Sequence, residues 1–209
     1  MNRAFSRRRF LSRFVACTAT LVAFATLSGC KHEQPADLSP LDQAGMWFSS
    51  VDELRGYHLT ADEVSQLVEA RQAGLTDANC VELVRLARRQ HQSFTDGDGI
   101  AGLLNAGVSA QTVMELARLN QLGVWSGQAL AMHLANLSDA IILEVAGRRA
   151  AGQPVLSGEK LAELRDAGYS ESQLVELIER GTTDAQADQI IEAHNRSLGR
   201  GFVSKRRHR

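Results

Sequence analysis

Apolar residues recur at helical spacing through the middle of the chain, and similar start signals precede each run. In most of these segments an apolar residue comes just before Ser, Thr or Asp, and further apolar residues follow four, seven and eight positions later. This is the pattern of an N-capped helix that buries one face. The starts of this first kind are Thr60, Asp96, Ser126 and Ser157.

A stop signal and a second cap follow each of these short segments. The stops are Gly or Asn, which tolerate the left-handed conformation that ends a helix: Gly74, Gly107, Asn136 and Gly168. The second caps come two residues later, at spacings of 33, 29 and 32 residues: Thr76, Ser109, Ser138 and Ser170. The pattern predicts an all-α fold of about four short helical hairpins over residues 47–195, with a last helix after Thr183.

The repeat leaves two arrangements open, an α-solenoid and a compact bundle, and a non-repeating bundle with common capping residues is the alternative to both. The tetratricopeptide signature is absent, because Trp125 lacks the Leu-Gly and Tyr that should follow it. The turn strings AGLT, AGVS and AGYS resemble those of bacterial envelope proteins with short helical repeats. That resemblance covers about residues 60–195 and implies no activity.

The first 29 residues have the layout of a signal peptide. Five arginines lie within residues 1–13, and residues 14–27 then carry no charge. Fourteen uncharged residues are too few to cross a hydrocarbon core of about 30 Å as a helix. A basic segment followed by a short apolar one is instead typical of an export signal, so residues 1–29 are excluded from the predicted fold.

The end of this segment resembles the lipobox of bacterial lipoproteins in Leu27, Ser28, Gly29 and Cys30. The resemblance implies cleavage before Cys30, a diacylglyceryl group on its thiol and an acylated (typically palmitoylated) amino group. Two or three acyl chains hold a protein at a membrane essentially permanently. Lys31, next to the Cys, slightly favours the outer over the inner membrane. The alternative is an ordinary signal peptide whose cleavage region contains a Cys.

An export motif lies further upstream. Ser6, Arg7, Arg8, Phe10 and Leu11 match the twin-arginine consensus, which implies that the chain folds before it is exported. The alternative is the general secretory route, which also accepts basic segments. Either route predicts a location in the bacterial cell envelope, on the non-cytoplasmic side of the membrane (periplasm or outer surface).

Composition adds a flexible tether and a basic tail. Residues 30–46 are polar, contain two prolines and lack periodicity, which predicts a flexible tether. Residues 196–209 hold six basic side chains and no acid, which predicts a disordered tail. Residues 30–195 carry 12 basic and 24 acidic residues, so the body is not a nucleic-acid-binding surface. The tail is either solvated, docked on this acidic body, or in contact with a polyanion through Lys205, Arg206, Arg207 and Arg209.

Three features invite a chemical interpretation, and each has a plainer one. The string of residues 96–99, Asp-Gly-Asp-Gly, lacks the first and last ligands of an EF-hand and is interpreted as a turn and cap. Cys80 occupies an apolar register position, which favours a small buried hydrophobic residue over a nucleophile. His133 occupies a position that is Leu in other segments, which favours a half-buried, hydrogen-bonded His over a ligand.

No catalytic, metal-binding or cofactor-binding motif is recognised in the sequence, so no catalytic residue, metal or cofactor is predicted. Two classes of function remain. The first is a non-enzymatic binding or scaffolding module that is anchored to the membrane by lipid and presents its helical repeats to another envelope protein or polymer. The alternative is an envelope enzyme, or an accessory lipoprotein linked to a metal or cofactor.

Overall fold

The computed structural model describes residues 36–206, and within that range the chain folds into eleven α-helices and no strand. The predicted all-α array of short helical hairpins is confirmed. The helices are α1 (Ser39–Gln43), α2 (Phe48–Arg55), α3 (Ala61–Gln72), α4 (Asp77–Arg89), α5 (Gly97–Ala106), α6 (Ala110–Arg118), α7 (Ser126–Leu134), α8 (Asp139–Ala150), α9 (Gly158–Asp166), α10 (Glu171–Glu179) and α11 (Asp184–Arg206).

The helices lie in two rows. Odd-numbered helices form one row and even-numbered helices the other, and each consecutive pair from α1/α2 to α9/α10 is a hairpin. Within residues 36–206 the principal contacts join helices of one hairpin or successive helices of one row, as in a solenoid. One continuous core runs between the rows, and its fully buried side chains include Leu54, Leu67, Leu103, Leu116, Ile142 and Leu164.

Each of the first ten helices is followed by a residue with positive φ. After the odd helices these residues are Gly45, Gly74, Gly107, Asn136 and Gly168, which confirms the four predicted stops. After the even helices they are His58, His91, Asn120, Gly152 and Gly181. In most cases the amide of the residue directly after the positive-φ residue closes back on a carbonyl of the last turn of the helix, as the amide of Leu75 does on Ala70 at 3.2 Å.

Two predicted boundaries differ from the structure. The expected flexible tether over residues 30–46 is wrong from residue 36 onwards, because α1 lies within it and Leu41 and Met46 are buried in the core. At the other end, α11 continues to Arg206, so residues 196–206 are helical where the composition predicts disorder.

The register of α7 also differs from the prediction. The sequence pattern places Ser126 at the cap and Leu134 on the buried stripe, but Leu134 is 67% exposed and the fully buried residues are Ala129 and Met132. A 3-10 turn over Gly123–Trp125 runs directly into the helix, so Ser126 is already its first residue. Its hydroxyl hydrogen-bonds to a neighbouring hairpin and does not cap its own helix.

Candidate functional site

The predicted export and lipidation residues lie outside the described range. These are Ser6, Arg7, Arg8, Phe10, Leu11, Leu27, Ser28, Gly29 and Cys30, and Arg207 and Arg209 of the basic tail are outside it as well. Lys205 and Arg206 fall on the last turn of α11, of which the structure gives the backbone alone. The candidate surfaces below are therefore those of the helical array.

One side of the array consists of the short turns that join each odd helix to the next even one, and we name it the short-turn edge (residues 44–47, 73–76, 107–109, 135–138 and 167–170). Here a carboxylate from one hairpin accepts the N-cap amide of the preceding hairpin. Asp77 accepts from the amide of Trp47 at 2.7 Å, Asp139 from Ser109 at 3.2 Å and Glu171 from Ser138 at 2.8 Å.

These carboxylates each satisfy a helix amide that would otherwise have no partner. Asp139 also accepts the hydroxyl proton of Thr112 at 2.8 Å. Burial works to raise the pKa of the Asp139 carboxyl, but the hydrogen bonds from Thr112 and Ser109 outweigh it and lower the pKa. The acidic first turns of α4, α8 and α10 therefore join neighbouring hairpins, and their negative charge is largely committed to this structural role.

The opposite side consists of the longer loops between hairpins, and we name it the long-loop edge (residues 56–60, 90–96, 119–125, 151–157 and 180–183). The calcium-like string at residues 96–99 lies there. Asp96 accepts from the amide of Gly123 and from the hydroxyl of Ser126, both at 2.6 Å, and so ties the third hairpin to the fourth. A Cβ at Gly99 would meet the Asp96 carboxylate at 2.4 Å, which explains the second glycine.

The most buried charge in the described part is Glu63 of α3, with 1% of its surface exposed. Arg88 of α4 donates to both of its carboxylate oxygens, at 2.6 and 2.9 Å, and the amides of Phe94 and Thr60 donate at 2.9 and 3.0 Å. Burial works to raise the pKa of Glu63, but these hydrogen bonds outweigh it and hold the pKa at about 2. The pair joins both helices of the second hairpin to the loop that follows.

Sequence reasoning missed the Glu63–Arg88 pair. The available signal was the spacing of Thr60 and Glu63, which form a capping box in the structure. That spacing predicts the two contacts at the start of α3. It gives no indication of Arg88, which lies 25 residues further along the chain.

Cys80 is completely buried on α4, as its register position predicts. Burial raises the pKa of its thiol to about 12, so the thiol stays protonated near neutral pH. A nucleophilic cysteine needs the opposite shift. Cys80 therefore contributes to packing, in line with the apolar residues at its register position in the other even helices.

His133 of α7 is half-buried and hydrogen-bonded. Its Nε2 donates to the carbonyl of Ala106, the last residue of α5, at 3.0 Å. Its Nδ1 lies 3.8 Å from a carboxylate oxygen of Asp139, beyond hydrogen-bond distance. The ring therefore satisfies a carbonyl at the end of a helix in the preceding hairpin, and joins two hairpins as the acidic side chains do.

A small groove opens on the long-loop edge between the ends of α4 and α6. It has a volume of about 110 Å³. Leu83, Leu86 and Phe94 form apolar walls, and Gln92 and Asn120 lie exposed at its rim. Polar atoms contribute about as much of the exposed lining as apolar atoms, so the groove suits a short stretch of an extended segment that offers both polar and apolar groups.

A wider and shallower groove lies at the short-turn edge of the first two hairpins. It has a volume of about 470 Å³ and is lined by Trp47, Arg71, Leu75 and Asp77 among others. Arg71 is committed inside the protein, to a carboxylate oxygen of Asp77 at 2.8 Å and to two backbone carbonyls. Trp47 at this groove is 77% exposed, and the adjacent Phe48 is 73% exposed.

Among residues 36–206, no three His, Cys, Asp or Glu side chains come together as a metal site would require. None of the helices in that range combines the length and the apolar character that a membrane crossing needs. Comparisons of the chain with protein-family models, with curated proteins and with solved structures found no match.

Proposed function

We propose that this protein is a lipoprotein of the bacterial cell envelope that acts as a non-enzymatic binding or scaffolding module. The observation that carries the location is the string Leu27-Ser28-Gly29-Cys30, placed directly after a charge-free segment of signal-peptide length. Acyl chains on Cys30 would hold the mature chain at the membrane, with the outer membrane slightly favoured by Lys31. The basic residues after Arg196 are a candidate contact for an envelope polyanion.

The binding role is supported by the way in which the array uses its polar groups. The acids of the short-turn edge, the Glu63–Arg88 pair, Cys80 and His133 all serve contacts inside or between hairpins. What remains accessible is an extended double row with shallow grooves along it, which suits contact with an extended segment of another protein or polymer. The groove of Leu83, Leu86 and Phe94 is the candidate contact site on the long-loop edge.

The anchor is tested by expressing the full-length chain in a bacterium fed an alkyne-tagged fatty acid. The mature product should begin at Cys30, carry the tag and float with membranes, whereas Cys30→Ala should carry none. An unmodified Cys30 within a full-length soluble product would overturn the proposal. The export route is tested separately, because Arg7→Lys together with Arg8→Lys should leave precursor in the cytoplasm if the twin-arginine machinery is used.

The binding role is tested by photocrosslinking in the same cells. A photoreactive residue at Gln92, on the rim of the groove, should give a discrete adduct that mass spectrometry can identify. The matched control is the same residue at Glu159, which is exposed on α9 away from the groove. Equal labelling at both positions, or none at Gln92, would count against this groove as the binding site.

A further inference from the structure

The first even helix departs from its sister helices at its N-terminus. The later even helices α4, α6, α8 and α10 have a hydroxyl residue at the N-cap: Thr76, Ser109, Ser138 and Ser170. Helix α2 has Trp47 there, in nearly the same backbone conformation (φ −67°, ψ 142°) as Ser109 (φ −67°, ψ 144°). The indole of Trp47 has no hydrogen-bond acceptor, and it makes no side-chain cap hydrogen bond.

The next position departs in the same way. The first residue of α4, α8 and α10 is acidic, and that of α6 is Ala110. In α2 it is Phe48. Two large aromatic side chains therefore replace small or polar ones at adjacent positions, and both are about three-quarters exposed. Adjacent exposed aromatic residues of this size are unusual on a water-facing surface and point to a partner that buries them.

The position of Trp47 and Phe48 in the chain, shortly after the proposed lipid anchor, indicates what kind of partner buries them. Cys30 and Ala36 are six residues apart, and a fully extended chain covers at most about 3.6 Å per residue, so this stretch reaches roughly 22 Å or less. Helix α1 adds five residues, about 7.5 Å of rise, before the turn that leads to Trp47. A lipid group on Cys30 therefore leaves the first hairpin, with Trp47 and Phe48, within reach of the surface of the bilayer that holds it.

We infer that Trp47 and Phe48 insert into the interfacial region of the bilayer beside the lipid anchor, and so orient the helical array with its first hairpin against the membrane. The inference rests on the proposed lipidation of Cys30. An indole with an apolar body and a polar N–H suits this interface, and Phe48 adds apolar area next to it. Residues 30–195 carry twice as many acidic as basic residues, so burial of apolar surface and not charge attraction drives the contact.

The test uses the mature lipidated protein, purified from cells that express the full-length chain, in neutral phosphatidylcholine vesicles with and without bromine on the acyl chains. Trp47 and Trp125 are the two tryptophans of the chain, and Trp125 is buried in the protein with 3% exposure. The Trp47→Phe variant supplies the emission of Trp125 alone. After the Trp125 emission is subtracted, we expect brominated lipid to quench most of the Trp47 emission. The Trp47 emission should also be blue-shifted relative to that of a soluble tryptophan peptide in buffer. Neither the quenching nor the blue shift should change with salt.

Two matched variants test whether the quenching depends on the aromatic pair or on any exposed apolar side chain of the array. Phe48→Asp keeps the Trp47 reporter, places the acid of the sister helices at this position and should abolish most of the quenching. Leu134→Asp removes an equally exposed apolar side chain from the fourth hairpin and should leave quenching unchanged. Unquenched Trp47 in the wild-type protein, or full quenching in Phe48→Asp, would overturn the inference.

Flotation of the same vesicles distinguishes the two hypotheses. If the protein floats with the vesicles and Trp47 is not quenched, the anchor stands and the inference about the aromatic pair fails. If the mature protein carries no lipid and does not float, the proposed anchor fails and the inference fails with it.

Discussion

The amide nitrogen of Gly97, at the start of α5, lies 2.6 Å from the side-chain Oε1 of Gln66 on α3. The backbones of the two helices are so close at this point that a Cβ on Gly97 would lie 2.1 Å from the backbone oxygen of Gln66. Gly158 of α9 and Gln128 of α7 repeat the arrangement. The amide of Gly158 donates to the side-chain Oε1 of Gln128 at 3.1 Å, and a Cβ on Gly158 would lie 2.5 Å from the backbone oxygen of Gln128. In these two pairs of odd helices, the backbones thus approach through a glycine that no other residue can replace without a shift.

Gly97→Ala should therefore destabilise the array. The added methyl must displace the backbone of α3, and overpacking of this kind costs about 1–3 kcal/mol or more. Gly102 is the matched control, because it lies inside the same helix with open space where its Cβ would be. Gly102→Ala should stabilise by roughly 0.5–1 kcal/mol. Chemical denaturation of both variants checks the pair, and equal changes for the two would contradict the packing argument.

The buried Glu63–Arg88 pair should make stability depend on pH in the acid range. The pKa of Glu63 is lowered from 4.5 to about 2, so its contribution is complete above about pH 5 and is lost as pH falls towards 2. The shift corresponds to roughly 3 kcal/mol. Glu63→Gln should cost about that much at pH 7, and the difference from the wild-type chain should shrink towards zero near pH 2.

Urea denaturation of both chains between pH 2 and 7 measures this dependence. Glu115→Gln is the control, since Glu115 pairs with Arg118 at the surface, where both side chains are more than 40% exposed. That variant should change the free energy of unfolding at pH 7 by less than about 1 kcal/mol. A Glu63→Gln chain that is as stable as wild type at pH 7 would show that the pair is replaceable.

Cys80 should be unreactive while the chain is folded. With a thiol pKa of about 12, only about one molecule in ten thousand carries the thiolate at pH 8, and the side chain has no exposed surface. We expect an alkylating reagent to leave the peptide that contains Cys80 unmodified in native buffer and to modify it fully in denaturant, as followed by mass spectrometry. Rapid alkylation under native conditions would reveal local opening of α4.

The sequence predicted the hairpins well because their starts and stops are local. Caps such as Thr60 and Ser170, and stops such as Gly74 and Gly168, depend on residues within four positions of one another. The left-handed residues His58 and His91, which follow α2 and α4, were not predicted, because histidine marks such a stop less clearly than glycine or asparagine does.

The contacts between hairpins could not be predicted in the same way. Asp96 looks like a cap or a calcium ligand in the sequence, but its partners Gly123 and Ser126 lie about thirty residues away. Two other contacts could not be predicted because their partners are 25 and 27 residues apart in the chain. They are the Glu63–Arg88 pair within the second hairpin and the hydrogen bond from His133 to the carbonyl of Ala106. A repeat near thirty residues indicates that such contacts exist, but which side chains form them depends on the exact stacking of the rows.

The cap position of α2 offers a last prediction, about the cost of Trp47 to the fold. The amide of Ser50, which a Ser at this N-cap would have to accept, already donates to the backbone carbonyl of Trp47 at 2.9 Å. The amide of Ile141 donates to Ser138 in the same way, and Ser138 makes no side-chain cap in α8. Trp47→Ser should therefore change the free energy of unfolding by less than about 1 kcal/mol. Trp47→Ala removes the aromatic ring without supplying a cap and should stay close to wild type, since the ring is mostly exposed. Thermal and urea denaturation of the three chains compare them directly. If both variants are clearly less stable than the wild-type chain, the ring contributes to the fold itself, and its exposure needs no partner to explain it.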